Sequence, residues 1–515
     1  MNLSKATILF CTLLISIGCK NDNPTFIIDN GLYIDNVTII SASKNGILQK
    51  YIGNVLIDNE TILFCGKQKP NVKGVFKKID GTGKYLTPGL IDSHVHLSSI
   101  AGMNYKQVRA LPELANSYYE QLPNSYLYFG YTTLIDPNNY NPKIIKQIND
   151  KEIKPDIYTC GEQVKVMNDF MMAEDDPKDR YKFYPNFLHD KYNKNVSIPD
   201  TINSNDHSVK KVVSDIINKQ DGICIKTIYE DGFGGTEEMV WELPTLDIIK
   251  DLVHQAKNEN VPVLLHANSF SAQKFGSEAN VDIIAHGMWH WGLIKEYLNV
   301  SKLPETHKEL LSTIARKKIG YQPTFRVIAG QKDVFNPNFI NDSNLKNVLP
   351  LNLLKWLKTD EGLWQKKRIM TYGGDYFNSE TPDREIAGMM QLVLDKVNIS
   401  TNYLSGENGN LLFGSDTPAM NNHANPPGYN GFLEMKHWFE AGISLEKIFM
   451  ATTFNNANAF HLNDKYGTIE KGKIANLLLL NQDPLDDILA YNAIHLVIVH
   501  GKKYARNTLS ANPSD

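Results

Sequence analysis

Residues 86–97 read Leu86-Thr87-Pro88-Gly89-Leu90-Ile91-Asp92-Ser93-His94-Val95-His96-Leu97, and the rest of the chain is read outward from them. Pro88-Gly89 marks a turn. The apolar run after it predicts a buried strand that ends in His94 and His96. Side chains alternate faces along a strand, so residues i and i+2 point the same way with Cα atoms roughly 7 Å apart. Two imidazoles so placed can converge on one metal ion, and imidazole suits zinc, iron and nickel. A bare His-x-His carries little weight alone; it gains weight from the pattern downstream of it.

Beyond residue 97, strand-like and helical patterns alternate, which argues for βα units and a parallel sheet. Strands are predicted at 90–96, 130–136, 156–161, 222–230, 262–267, 281–287, 318–324 and 411–417, with helices between them, among them 245–259 and 304–317. Eight such strands predict a TIM-type (β/α)8 barrel over 86–464. Connections 162–221 and 325–410 are too long for simple loops, and both leave the strand ends where barrel active sites are built. Upstream, short strands are predicted at 25–28, 32–34, 37–40, 54–57 and 61–64, with turn signals at Asn30-Gly31 and Asp80-Gly81. Segments 476–480 and 495–499 would complete that unit. The expected fold class is therefore α/β: the barrel plus a small β-sandwich domain formed by both chain ends, 25–85 with 465–507.

The 515 residues are 42% hydrophobic and 21% charged, which suits a soluble protein with a large core. A net charge of −4 without a basic stripe excludes a nucleic-acid partner. Lys5, the apolar run 6–17 and Gly18-Cys19 fit a lipoprotein-type signal peptide, 1–18, too short to span a bilayer comfortably. Ser16 stands where such signals usually carry leucine. Cleavage before Cys19 and lipidation of Cys19 would leave a polar tether, 19–24. The protein is then expected to be exported and lipid-anchored to a bacterial membrane, in the periplasm or at the cell surface. Cys65, Cys160 and Cys224 lie in apolar, strand-like runs and are expected as core thiols, although export leaves a pairing of two of them open.

Four further residues stand at or near predicted strand ends: Lys226 after Ile223-Cys224-Ile225, His266 after Val-Leu-Leu, His286 in Ala-His-Gly, and Asp416 after Phe413-Gly414-Ser415. Each alone has a bland reading as a capping, turn or surface residue. Their common placement at the strand ends of one barrel is what chance does not supply. Tyr229, Glu230, Trp289, Tyr321 and Arg326 are candidates for lining a substrate pocket, as is Trp291; the aromatics and Arg326 could equally pack the helices.

This order of motifs closely resembles the amidohydrolase superfamily, in particular the imidazolonepropionase-like branch that includes metal-dependent prolidases and related dipeptidases. The matching stretches are 88–96, Gly-Tyr-Thr-Thr-Leu-Ile-Asp at 130–136, Ile225-Lys226, His266, Ala285-His286-Gly287 and Gly414-Ser415-Asp416-Thr417-Pro418. Ala451-Thr452-Thr453 with Asn455 and Ala457, and then 467–473, match as well. The resemblance implies that His94, His96 and Asp416 hold a buried metal and His266 and His286 an outer one. It implies that Lys226 is carbamylated and bridges two divalent ions, zinc by expectation. Two cations about 3.5–4 Å apart can share a hydroxide and polarise a carbonyl. Asp416 would take the proton of that water and pass it to the leaving nitrogen. The tail departs from the family pattern at Ala475-Asn476-Leu477, where Ala-Asp-Leu is usual.

The leading expectation is hydrolysis of an amide, cyclic amide or dipeptide bond in a small-molecule or dipeptide substrate. A mononuclear deaminase or imidazolonepropionase, which Glu230 keeps open, and a lactone hydrolase are the alternatives. A non-enzymatic binding lipoprotein comes behind them, because fold does not fix function. The sequence leaves homo-oligomerisation open.

Overall fold

The computed structural model describes residues 23–173, 175–232, 239–371 and 376–513. The expected signal peptide, Cys19 and the tether up to residue 22 lie outside the described residues. Among the described residues no helix is long and apolar enough to cross a membrane.

The described chain opens on strands β1 (Thr25–Ala42), β2 (Leu48–Asp58), β3 (Thr61–Gly66), β4 (Asn71–Asp80) and β5 (Tyr85–Pro88). β1 pairs antiparallel with β2 and parallel with β4 and β5. Asn30-Gly31, expected as a turn, lies inside β1, where the register against β4 shifts between Ile28 and Gly31. A Cβ on Gly31 would meet Ile28 Cδ1 at 2.3 Å, so glycine here serves close approach at a bulge and no chain reversal. β4 escaped the sequence reading because Lys73, Gly74, Lys77 and Lys78 break its alternation, as a mostly exposed edge strand permits.

β6 (Leu90–Asp92), β7 (Tyr131–Asp136) and β8 (Asp156–Thr159) form a parallel three-stranded sheet. The first long connection carries the short parallel pair β9 (Lys165–Val166) and β10 (Phe187–Leu188). β11 (Ile225–Ile228), β12 (Val263–His266), β13 (Ile283–Ala285), β14 (Gly320–Gln322) and β15 (Asn410–Leu411) come next as a parallel five-stranded sheet in that order. Each is shorter than its apolar run. Backbone bridges Thr159–Gly222 and Val95–Thr417 link the edge strands of the two sheets. With the helices that alternate with them, these strands make a TIM-barrel-type α/β fold. β16 (Leu477–Leu480), β17 (Ile494–Val499) and β18 (Lys502–Ala505) return to the first sheet, where β16 pairs antiparallel with β5 and sets Leu479 opposite Leu86. Both chain ends thus build one eight-stranded sheet.

The helices form for local reasons. In 246–258, Ile248, Ile249, Leu252 and Ala256 form one buried stripe, the Thr245 hydroxyl accepts from Ile248 N, and Asp247 and Lys257 complement the helix dipole. The two long connections brace the strand-end face. In the first, Phe170 packs on Trp241 with ring centroids 5.1 Å apart. In the second, Trp364 Nε1 donates to Gly102 O and Gln365 Nε2 to Met420 O, each at 2.7 Å, which ties down the loops after His96 and Asp416.

Cys160 and Cys224 are a disulfide, with Cα atoms 4.4 Å apart, and so are not the free core thiols expected. Cys160 lies just after β8 and Cys224 just before β11, and the Thr159–Gly222 bridge sets these segments side by side. A separation of 64 residues gives no hint of that neighbourhood. Cys65 is free and half-buried, with its sulfur 3.4 Å from the Tyr51 hydroxyl.

Candidate metal centre

The ends of β6, β11, β12, β13 and the 411–417 segment bring all six ligand candidates to one face. His94, His96 and Asp416 each offer a ligand atom, and these atoms lie within 4.8 Å of one another. Asp416 Oδ1 is 2.9 Å from His96 Nε2 and 3.8 Å from His94 Nε2, and Oδ2 is 3.6 Å from His286 Nδ1. The imidazoles form a row. Ring centroids are 5.4 Å apart for His96–His94, 5.3 Å for His94–His286 and 4.3 Å for His286–His266. Gly414 permits this approach, since a Cβ there would stand 2.7 Å from His94 Cβ. Asp416, His286 and Thr324 take φ values of 54°, 82° and 44°, a region that costs a non-glycine residue about 1–3 kcal/mol and that clusters at functional sites.

Electrostatics divide the row. Burial holds His94 and His286 well below the usual imidazole range. Burial works against charge on His96 as well, but its hydrogen bond to Asp416 raises it. Burial would lift the Asp416 carboxyl, yet His94, His96 and His286 together hold it well below the carboxylate range. Lys226 is buried, its Nζ has no hydrogen-bond partner among the described residues, and burial brings the ammonium down to about 7. Burial thus favours the neutral amine at this position among the imidazoles.

A second layer fixes the first, and the sequence reading missed most of it. Gln322 Oε1 lies 3.1 Å from His94 Nδ1, while its Nε2 donates to Ser93 Oγ at 2.7 Å. Asp92 accepts from Ser415 N at 3.0 Å and Ser415 Oγ at 2.6 Å. Asn456 Nδ2 donates to Ile91 O and Phe413 O at 2.9 and 2.7 Å, and its Oδ1 accepts from Phe413 N at 3.1 Å. The Thr324 hydroxyl holds His286 Nδ1 at 2.9 Å. Glu230 Oε2 stands 3.2 Å from His266 Nε2 and accepts from Asn268 Nδ2 at 2.8 Å. Such partners set the tautomer and orientation of ligating histidines. A neutral amide or hydroxyl has no charge signature in sequence. Asp92 and Ser93, inside the quoted stretch, Ser415, beside Asp416, Asn456, between two quoted motif residues, and the candidate Glu230 had a signal to find; Gln322, Thr324 and Asn268 had none.

The pocket candidates separate. Glu230 and Trp289 join the site: the Trp289 ring lies 5.1 Å from His286 and 6.4 Å from His266. Tyr321, Arg326, Tyr229 and Trp291 face elsewhere. Gln322 points to the axis, so Tyr321 beside it points to the helices, and its hydroxyl bonds Gln273. Arg326 is spent on Asp333, Asn430 and the Ala424 carbonyl, while Glu434 caps its helix start by accepting from Phe325 N and Arg326 N. The Tyr229 ring rests on Phe275 and Trp291 on His307.

The donor set fits divalent metal: three imidazole and carboxylate donors converge, two more imidazoles adjoin them, and a buried amine lacks a partner among the described residues.

The amidohydrolase family profile matches residues 385–503. The chain is 39% identical over 74 residues to a 5-methylthioadenosine/S-adenosylhomocysteine deaminase of Thermoanaerobacter pseudethanolicus, which is 14% of this chain and 17% of that protein. It is 37% identical over 68 residues to an adenine deaminase of Clostridium acetobutylicum, 13% and 10% of the two chains. The chain thus spans well under a fifth of these curated relatives. In fold it is similar to phenylurea hydrolase B, with TM-score 0.61, 18% identity and coverage of 94% and 99% of the two chains. It is similarly close to a Xaa-Pro dipeptidase crystallised with methionine in its active site, at 0.60, 17%, 92% and 100%. The profile match, under a quarter of the chain, takes in Asp416 and the strands β16 and β17 of the terminal sheet, and over that stretch the chain is similar to the amidohydrolase family.

Proposed function

We propose that this protein is a metal-dependent hydrolase that cleaves a carbon–nitrogen bond in a small amide, cyclic amide or dipeptide. The observation that carries the reading is the convergence of His94, His96 and Asp416 next to a buried Lys226 Nζ without a partner among the described residues. His94, His96 and Asp416 would hold the inner ion and His266 and His286 the outer one. Lys226, carbamylated by carbon dioxide, would bridge them, and zinc is the expected ion. Bound divalent ions supply an acidified water and a polarised carbonyl. Asp416, hydrogen-bonded to His96, would accept the water's proton and deliver it to the leaving nitrogen. His96, hydrogen-bonded to Asp416, holds that carboxylate in place. Trp289 walls the outer side and keeps water from it.

We read the two parallel sheets as one (β/α)8 barrel over 86–464, with the sheet from 25–85 and 465–507 as its composite β-sandwich partner. We also infer export and anchoring through a lipid on Cys19. The Cys160–Cys224 disulfide supports an oxidising compartment.

The test is metal analysis and a hydrolysis screen on one sample, with dipeptides, N-acyl amino acids and lactones as substrates. Two ions per chain with amide cleavage is the expected result. A metal-replete protein that cleaves none of them overturns the reading. The second reading, a mononuclear deaminase, is favoured by the two curated deaminase matches and by Glu230 beside His266. One ion per chain with ammonia release would select it.

A further inference from the structure

The joint between the two parallel sheets passes beside Lys226. On one flank β11 is laddered to β12, with Lys226 opposite Leu264. On the other flank it meets the chain after β8 only at two isolated bridges, Thr159–Gly222 and Val164–Thr227. Between those bridges the ladder is interrupted. Gly161 N, Glu162 N and Gln163 N donate instead to the side chains of Thr159, Gln220 and Asn138. Among the described residues no backbone hydrogen bond joins 160–163 to 223–226. The Cys160–Cys224 disulfide spans that gap.

Side chains two apart on a strand share a face, so Cys224 points inward, one layer beneath Lys226. Both cysteines are 0% exposed and pack with Ile91, Ile135, Leu264 and Ile283 in an apolar floor under the centre. Above the gap, Val164 N donates to Lys226 O at 2.8 Å, and Thr227 Oγ1 donates to Val164 O at 3.1 Å. These contacts and the disulfide fix this flank of Lys226. Its Nζ, without a hydrogen-bond partner among the described residues, adds no hold of its own. Two thiols need more room than one disulfide, and a closely packed floor has none to give. Without the bond β11 would have to yield at the joint, where its backbone is least bonded and two residues before Lys226.

We propose that the Cys160–Cys224 disulfide positions Lys226, so that the outer half of the centre holds its ion only in the oxidised protein. This rests on the two-ion reading above. Forming the bond takes two protons and two electrons from the thiols, passed by exchange to a disulfide donor. Both sulfurs end fully buried, so the exchange precedes closure of the floor, and the centre is completed after it. The full-length protein is refolded with glutathione disulfide or with dithiothreitol and loaded with zinc. Cys160→Ala/Cys224→Ala and Cys160→Val/Cys224→Ala are treated alike, the second filling the floor without a bond. Chelator competition reads the ions per chain and their affinities, and carbon NMR with labelled bicarbonate reads the Lys226 carbamate. The oxidised protein is expected to hold two ions. Without the bond the weaker ion binds about 10-fold or more less tightly, the carbamate signal falls, and the tighter ion is unchanged. In Lys226→Ala, already without its outer ion, removing the bond lowers metal affinity no further, while the loss in thermal melts is the same as in wild type. Two ions of unchanged affinity without the bond, or an equal loss of affinity in the Lys226→Ala background, overturn the positioning role and leave the two-ion reading intact. Failure of every bond-free form to fold overturns it too, since the disulfide would then staple the whole fold. An oxidised wild type with one ion or none fails the two-ion reading itself, and the positioning role with it.

Discussion

The inner and outer halves of the centre are built differently. His94, His96 and Asp416 sit in a mesh in which Gln322, Ser93, Asp92, Ser415 and Asn456 bond one another and the strand ends. Lys226, His266 and His286 have few fixed partners among the described residues: Thr324 holds His286, Glu230 holds His266, and Lys226 Nζ has none. The inner half is preorganised before any ligand arrives. In the outer half Lys226 Nζ is left without a partner among the described residues, where the proposed carbamate would sit.

The largest test of this difference is Asp416→Asn. Asparagine cannot accept the water's proton, so turnover should fall about 10²–10⁴-fold. Thermal melts should show a folded protein. Activity within a few-fold of wild type would mean that the inner half is not where the proton moves. Lys226→Ala tests the other side. Metal content should drop from two ions per chain to at most about one, and short carboxylic acids, which can place two oxygens in the vacated space, should restore part of the activity. Two retained ions would show that the outer half needs no bridging anion.

A smaller effect is expected where the inner mesh meets the fold. Asn456→Ala removes the side-chain partner of Phe413 N and of Ile91 O, while Phe413 O keeps Ser93, and unmet buried groups cost about 1–3 kcal/mol each. Partial relaxation should hold the total near ~3 kcal/mol in urea melts. A change under about 0.5 kcal/mol, the size of an ordinary surface substitution, would show that the mesh does not stiffen the inner half.

These same contacts show what could be read in the sequence. The six ligand candidates were legible because a charged or imidazole side chain after an apolar run, at an inward strand position, is rare and conspicuous. The eight parallel strands were legible for the same reason of period and placement. The mesh was not, because its members are mostly neutral amides and hydroxyls whose partners lie far along the chain, 228 residues for Gln322–His94 and 365 for Asn456–Ile91. Tyr321 misled because its strand-end position was read without its parity, the axis-facing place belonging to Gln322, and Arg326 because it lies past the strand, in the helix Phe325–Val334. Asn476, a departure from the family's usual aspartate, gains a reason from its surroundings. Its Nδ2 donates to Asp156 Oδ2 at 2.7 Å, where an aspartate would face a second carboxylate.

That seam gives the smallest and cleanest contrast, since it holds charge without any ligand candidate. His500 Nε2 lies 2.8 Å from Asp156 Oδ1 at the start of β8, and Nδ1 lies 3.1 Å from Glu60 Oε2. Hydrogen bonding to Asp156 raises the imidazole from 6.5 to about 9 against the pull of burial. A pKa raised on folding adds stability that is fully present below the unfolded value, near 6.5, and lost as pH rises through about 9. The His500 side chain is 30% exposed and Glu60 66%, so solvent screens the effect to about 1–2 kcal/mol. Denaturant melts of the metal-stripped protein should therefore lose about that much between about pH 6.5 and 9.5, and His500→Gln should lose correspondingly less. Parallel pH slopes in the two proteins would remove His500 from the seam's energetics. Divergent slopes would show a titrating contact that stabilises the junction of sheet and barrel independently of the metal centre.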